Sequence, residues 1–276
     1  MLRLHMKRRV ATAAVVMGFS GLAAEILLLR ELLILFSGNE LSIGLIMANW
    51  VILEAFGSYF LGKTVERWRH KPEIFVLLGI LFCLLLVLTI FPIRNLKHLL
   101  GVSIGETVGL LPMCYSSFLI LLPVSVLHGA LFTYGCRVYS LFTGKDTTSA
   151  GSVYVYETLG TLIGGIVSTY LFVRFLHTFQ IIFLVLLLHV LAGLFLLLPH
   201  HSSGGFRRGL LVLLLVLLPL SGYALLGGPA DRLHRFTVRS QWRGLNVVHY
   251  ENSRYGNICI VENEGQYIYF VDGTAG

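Results

Sequence analysis

Seven ionisable side chains sit inside stretches that are otherwise apolar: Glu25, Arg30, Glu31, Glu54, His128, Glu157 and His189. A charged group at the centre of a bilayer costs about 3 kcal/mol on insertion scales, so such residues pair with one another or line a hydrated path. Glu25, Glu54 and Glu157 fall in three different stretches. Carboxylates converging between helices could pass a cation or protons through a bundle. The same residues suit interhelical pairing, Arg30 with Glu54 or Glu157, that fixes helix register. Glu25 and Arg30 lie five residues apart and are not ideal partners on one helix face, while Glu31 points elsewhere. His189, alone among leucines, reads as an internally satisfied or headgroup-level histidine.

Long helices are needed to carry these residues. Seven apolar blocks run over about residues 10–36, 41–61, 74–91, 109–135, 153–176, 179–198 and 210–226. An apolar helix of roughly 20 residues crosses a hydrocarbon layer of about 30 Å. The chain is 56% hydrophobic and 13% charged over 276 residues, with a mean hydropathy of +0.80. Soluble domains carry roughly 25% charged residues. The expected fold is therefore an all-α polytopic membrane bundle of about seven spans, in residues 1–227. Its first block is too long for a cleavable signal peptide. The sixth and seventh blocks are Leu-rich and suit lipid-facing helices. The others carry glycines, and Gly160 with Gly164 forms a GxxxG face that admits a second backbone. The run from Gly57 to Gly62 and Lys63, followed by Glu66 and Arg67, is similar to the glycine-plus-basic loop of major-facilitator transporters.

The net charge of +7 does not indicate a nucleic-acid partner, because the basic residues cluster in short loops between apolar blocks. Arg3, Lys7, Arg8, Arg9, Lys63, Arg67, Arg69, Lys71, Arg137, Lys145, Arg207 and Arg208 fall on one side, against Arg94, Lys97 and Arg174 in the opposite loops. This bias places the N-terminus in the cytoplasm. Seven crossings then place the C-terminal segment outside. A re-entrant first block, or a re-entrant fourth block with Pro112 and Pro123, would change that parity. Cys83, Cys114, Cys136 and Cys259 lack CxxC spacing and read as small apolar packers rather than a metal site or disulfide. No phosphate loop, Rossmann turn, HExxH or nucleophile elbow is present.

The composition shifts after Gly227, dividing off residues 228–276. Residues 229–243 are polar and basic, and residues 247–250 and 257–271 have strand character. Strands at 257–262 and 266–271 around Asn263, Glu264 and Gly265 form a hairpin signal. A lone hairpin is marginal in water, and this one leaves Tyr267, Tyr269 and Phe270 with little to pack on. The segment reads as the first strands of a truncated α/β domain.

Three stretches, in this order and spacing, resemble the membrane-fused spermidine synthases, bacterial polyamine aminopropyltransferases with a multi-span N-terminal half. The first runs from Phe19 to Arg30 with Ser20, Gly21 and Glu25, similar to the family's Ser-Gly…Glu…Arg opening span. The second, residues 151–165, is similar to its Gly-x-x-Tyr-x-x-Asn-Thr-x-Gly-x-x-x-Gly span, with Glu157 replacing the Asn. The third, residues 250–258 followed by Phe270, Asp272 and Gly273, is similar to the opening hairpin of the synthase domain. The resemblance implies aminopropyl transfer from decarboxylated S-adenosylmethionine, as co-substrate, to putrescine, giving spermidine and methylthioadenosine. The acidic residues and Gly-rich nucleotide loop for that chemistry belong to a downstream Rossmann-like domain, so no catalytic residue, cofactor or metal is expected in this chain. Tyr255, Gly256 and Asp272 are the implied substrate-binding positions. Soluble members carry Tyr-Gln-Asp where this chain has Tyr255, Gly256 and Asn257, so the Gln contact to the nucleoside is lost and the substrate stays open. The implied location is the bacterial inner membrane, with the lipid bilayer and a putrescine-like polyamine as partners and a homo-oligomer left open. The rival reading is a polyamine or cation transporter, or a membrane scaffold. A synthase using a cytoplasmic co-substrate should face inward, in conflict with the predicted parity.

Overall fold

A computed structural model describes residues 2–67, 71–144, 146–198, 204–253 and 255–275. Arg69, Lys145 and Arg254, which entered the sequence reading, lie outside them. The bundle consists of α1 (Leu2–Phe36), α2 (Glu40–Phe60) with a 3-10 turn (Gly62–Arg67), α3 (Lys71–Leu100), α4 (Leu110–Thr143), α5 (Asp146–Val167), α6 (Val173–Phe175), α7 (Thr178–Leu197) and α8 (Gly205–Leu226). A π-helical turn, Ser168–Phe172, joins α5 to α6 so that the three form one rod. Seven rods are long and apolar enough to cross a membrane, the fifth being Thr148–Phe175. Local signals explain the ends. Asn39 Oδ1 accepts the Ser42 N–H at 2.7 Å to cap α2. Gly144, with φ 68°, closes α4 in the left-handed region.

Both segments suspected of being re-entrant are continuous helices, α4 running straight through Pro123. The chain therefore leaves α8 at the end opposite the start of α1. The expected length of the third span was short: α3 continues to Leu100, so Arg94 and Lys97 lie within a helix, not in a loop, and both are buried. Their aliphatic stems lie along apolar neighbours and their heads find partners, which hydropathy cannot register.

Central α1 packs on α2, α3, α4, α5 and α7. The expected GxxxG contact is present. A Cβ on Gly160 would overlap the Val15 carbonyl of α1, and Gly164 sits against Phe19. Similarly, Gly129 of α4 sits on the Glu54 carbonyl of α2. Met17, Leu28, Phe82, Leu86, Ile90 and Phe179 fill the interior. Val51, Leu88, Leu119, Leu162 and Val216 face outward, an apolar exterior that suits lipid.

The polar stretch after the bundle forms an amphipathic helix, α9 (Pro229–Gln241), with Pro at its first turn. The strands β1 (Asn246–Ser253), β2 (Gly256–Asn263), β3 (Gln266–Val271) and β4 (Thr274–Ala275) form one antiparallel sheet in that order. The expected hairpin is β2–β3, with Asn263 opposite Gln266 and Glu264 and Gly265 at positive φ. One expectation fails. Phe270 is buried, its ring 4.8 Å edge-on to Trp242, among Val238, Cys259 and Val261. Helix α9 supplies that platform, which a hairpin considered alone lacks. Burial there pushes the Cys259 thiol up to about 12. Tyr267 and Tyr269 are exposed as expected.

Candidate functional site

The glutamates Glu25, Glu54 and Glu157 line one cavity of about 530 Å³. Helices α1 and α4 form its floor through Gly18, Gly21 and Leu22 and through His128, Gly129 and Phe132. Helices α2 and α5 form its walls, α2 with Trp50 and Ser58, α5 with Tyr154, Thr158 and Thr161. The two glycine crossings set this arrangement, because they draw α5 onto α1 and α4 onto α2. Glu25 stands roughly 16 Å of helix rise from Phe36, near the middle of a bilayer. No lysine or arginine lines the cavity. Among the described residues no three His, Cys, Asp or Glu side chains are grouped closely enough for one metal ion. The carboxylates are spread around a space rather than converging on a point.

His128, read from sequence as one of the seven intramembrane ionisable residues but not grouped with these glutamates, occupies its floor at 5% exposure. Its Nδ1 lies 2.5 Å from Glu54 Oε1, and its Nε2 lies 3.4 Å from the Met17 carbonyl. Trp50 and Phe82 flank the ring at 6.2 and 5.4 Å. Gly21 makes room for it, since a Cβ there would overlap Nε2. Behind Phe82, His189 lies 2.8 Å from Ser20 Oγ through its Nε2. That hydroxyl also lies 2.9 Å from the same Met17 carbonyl, to which it can donate. The internally satisfied reading of His189 holds.

A second cluster lies toward the C-terminal segment. Glu31 and Arg94 form a bidentate pair at 2.6 and 2.9 Å, with side-chain exposures of 3% and 0%. Thr178 donates to Glu31 Oε1 at 2.5 Å, and Arg94 donates to Thr237 of α9 at 2.6 Å. The ring of His234 stacks on His177 at 4.4 Å. His177 Nδ1 accepts the Gln180 N–H, and its Nε2 donates to Asp231 at 2.6 Å. Burial and then Arg94 and His177 push His234 down to about 3, and burial lowers His177 despite Asp231.

Arg30 does not pair with Glu54 or Glu157. Its Nη2 donates to the Ser253 carbonyl at 2.6 Å, one turn beyond Glu25 and across the edge of the bundle. There it lines a pocket of about 280 Å³ with Tyr255, Gly256, Asn257 and Asp272, so the three implied substrate positions do come together. Asp272 Oδ1 accepts the Asn257 N–H at 2.7 Å, and Tyr255 is 89% exposed. The buried Glu31–Arg94 pair replaces the pairings expected of Arg30. It escaped the sequence reading because Arg94 follows the apolar core of its helix.

No protein-family model matches the chain, and neither a curated protein nor a solved structure is detectably similar to it.

Proposed function

We propose that the chain is the membrane half of a spermidine-synthase-like protein, and that its bundle takes up a polyamine-like organic cation in the mid-membrane cavity. One observation carries the second part. Three carboxylates stand apart around a cavity of about 530 Å³ that has no lysine or arginine in its lining. Separated negative charges match the separated ammonium groups of a diamine better than a point ion. The Trp50, Phe132 and Tyr154 rings add faces that attract organic ammonium groups. The ordered motifs in α1, α5 and the β1–β2 region support the first part, with Tyr255, Gly256 and Asp272 as substrate-proximal positions.

Uptake of radiolabelled putrescine into vesicles carrying the chain tests the cavity. Replacing Glu25, Glu54 and Glu157 together with Gln should abolish it, and unchanged flux would sink the assignment. Aminopropyl transfer is tested on the whole product of the reading frame, supplied with decarboxylated S-adenosylmethionine and putrescine. Release of methylthioadenosine supports the family, and its absence counts against it. The inner membrane, with a cytoplasmic N-terminus, is the proposed setting. Alkaline phosphatase or green fluorescent protein fused after Ala275 reads the side of the sheet: phosphatase activity supports this orientation, and fluorescence alone reverses it.

A further inference from the structure

We propose that a cation entering the cavity displaces the proton held between His128 and Glu54, so that amine and proton exchange one for one. The inference rests on the amine site proposed above and adds its coupling.

The hydrogen-bond geometry sets the proton count. Met17 offers His128 only a carbonyl oxygen, so Nε2 carries a hydrogen. Nδ1 and Glu54 Oε1 are 2.5 Å apart, and two bare acceptors at that distance would repel, so one more proton lies between them. The pair thus holds a proton beyond that of the neutral ring, and its net charge is zero. An ammonium seated on Glu54 competes for the same carboxylate oxygen. With the proton retained, the ring is an imidazolium, and its charge repels the arriving ammonium at close range. With the proton released to water, a neutral His128 stands beside a carboxylate paired with the ammonium. The pair is again neutral overall. One N–H···O proton leaves, one ammonium arrives, and no other bond changes.

The surroundings make this pair the exchanging group. His128 is faced by Glu54 from α2, Glu25 from α1 and Glu157 from α5. From α3 it meets the Phe82 ring, with His189 of α7 beyond. His189 is already bonded to Ser20 through its Nε2. Glu25 and Glu157 remain as the second anchor for a dication.

The test is calorimetric titration of putrescine into the purified full chain in detergent, in phosphate and in Tris at one pH. Exchange predicts heats that differ between the buffers by the ionisation enthalpy of about one proton per amine bound. It also predicts an apparent affinity that rises with pH, by about tenfold per pH unit while the pair still holds its proton. Equal heats in both buffers, with clear binding, overturn exchange and leave the amine site intact. No binding in either buffer removes site and exchange together. In His128→Gln, which keeps an amide donor for Met17 but cannot titrate, the amine binding that remains should give buffer-independent heats. Persisting buffer dependence would place the proton elsewhere and overturn the proposal. The wild-type comparison decides the question even if that variant does not fold.

Discussion

Two groups of intramembrane charge share helix α1, six residues apart, and are built to opposite ends. Around Glu31 every strong donor and acceptor is matched: two carboxylate oxygens meet Arg94 and Thr178, and the guanidinium meets Glu31, Thr178 and Thr237. The pocket lined by Glu31 and Thr178 has a volume of about 20 Å³, room for little more than a water. Around Glu25 three carboxylates share an open space with one imidazole, and that imidazole is bonded to Glu54. A saturated cluster holds parts together, here α1, α3, α7 and α9. A cluster with unmatched charge and room beside it holds something that comes and goes. The number of buried ionisable groups does not separate the two; the balance of partners does.

The comparison is broken most forcefully at Glu31. Glu31→Gln leaves the Arg94 guanidinium buried without a counter-charge, an expected loss of about 3–5 kcal/mol. Thermal unfolding in detergent should show it as a large drop in midpoint, and a midpoint equal to wild type would refute the keystone role. Replacing both partners with apolar residues, Glu31→Leu with Arg94→Met, should recover much of the loss.

Next in size is Gly21→Val, which pushes into His128. Amine binding should weaken by well over tenfold, measured by radioligand binding. Retained affinity would show that the ring position is immaterial. Each single Glu→Gln change at positions 25, 54 and 157 should weaken binding by about tenfold, roughly the 1.4 kcal/mol of one charge-assisted hydrogen bond. Their melting midpoints should stay near wild type, the reverse of the Glu31 result.

A smaller effect follows from acid. His234 titrates at about 3 and His177 below its ordinary value when docked, so the undocked state binds more protons as pH falls. The docking of α9 is therefore fully stable above about pH 6.5 and weakens progressively below it. Hydrogen exchange across residues 230–241 should speed up at pH 5 relative to pH 7.5, and equal protection would contradict the assignment. Smallest is Arg30→Ala, which removes one contact to the Ser253 carbonyl, about 1 kcal/mol. Proteolysis of the sheet should become only modestly faster.

Much of the bundle is readable from hydropathy, because a lipid-facing helix must be apolar along its whole length. Glu25, Glu54 and Glu157 stand out for the same reason. Arg94 does not, since its long stem lets α3 run past the apolar block and its partner, Glu31, lies 63 positions away. His128 shows as a lone histidine until α2 and α4 close on Gly129 and bring it to Glu54. Phe270 reads as exposed until Trp242 and Val238 of the α9 region supply its other half. Local pattern reveals what each helix tolerates; the match between distant partners exists only once the helices are packed.

The most direct test of the central claim is equilibrium binding of radiolabelled putrescine to the purified chain, compared across the two clusters. The account predicts that Glu25→Gln/Glu54→Gln/Glu157→Gln abolishes saturable binding while Glu31→Leu/Arg94→Met retains it. Binding that survives the triple substitution, or that disappears only when the Glu31–Arg94 pair is replaced, would contradict it.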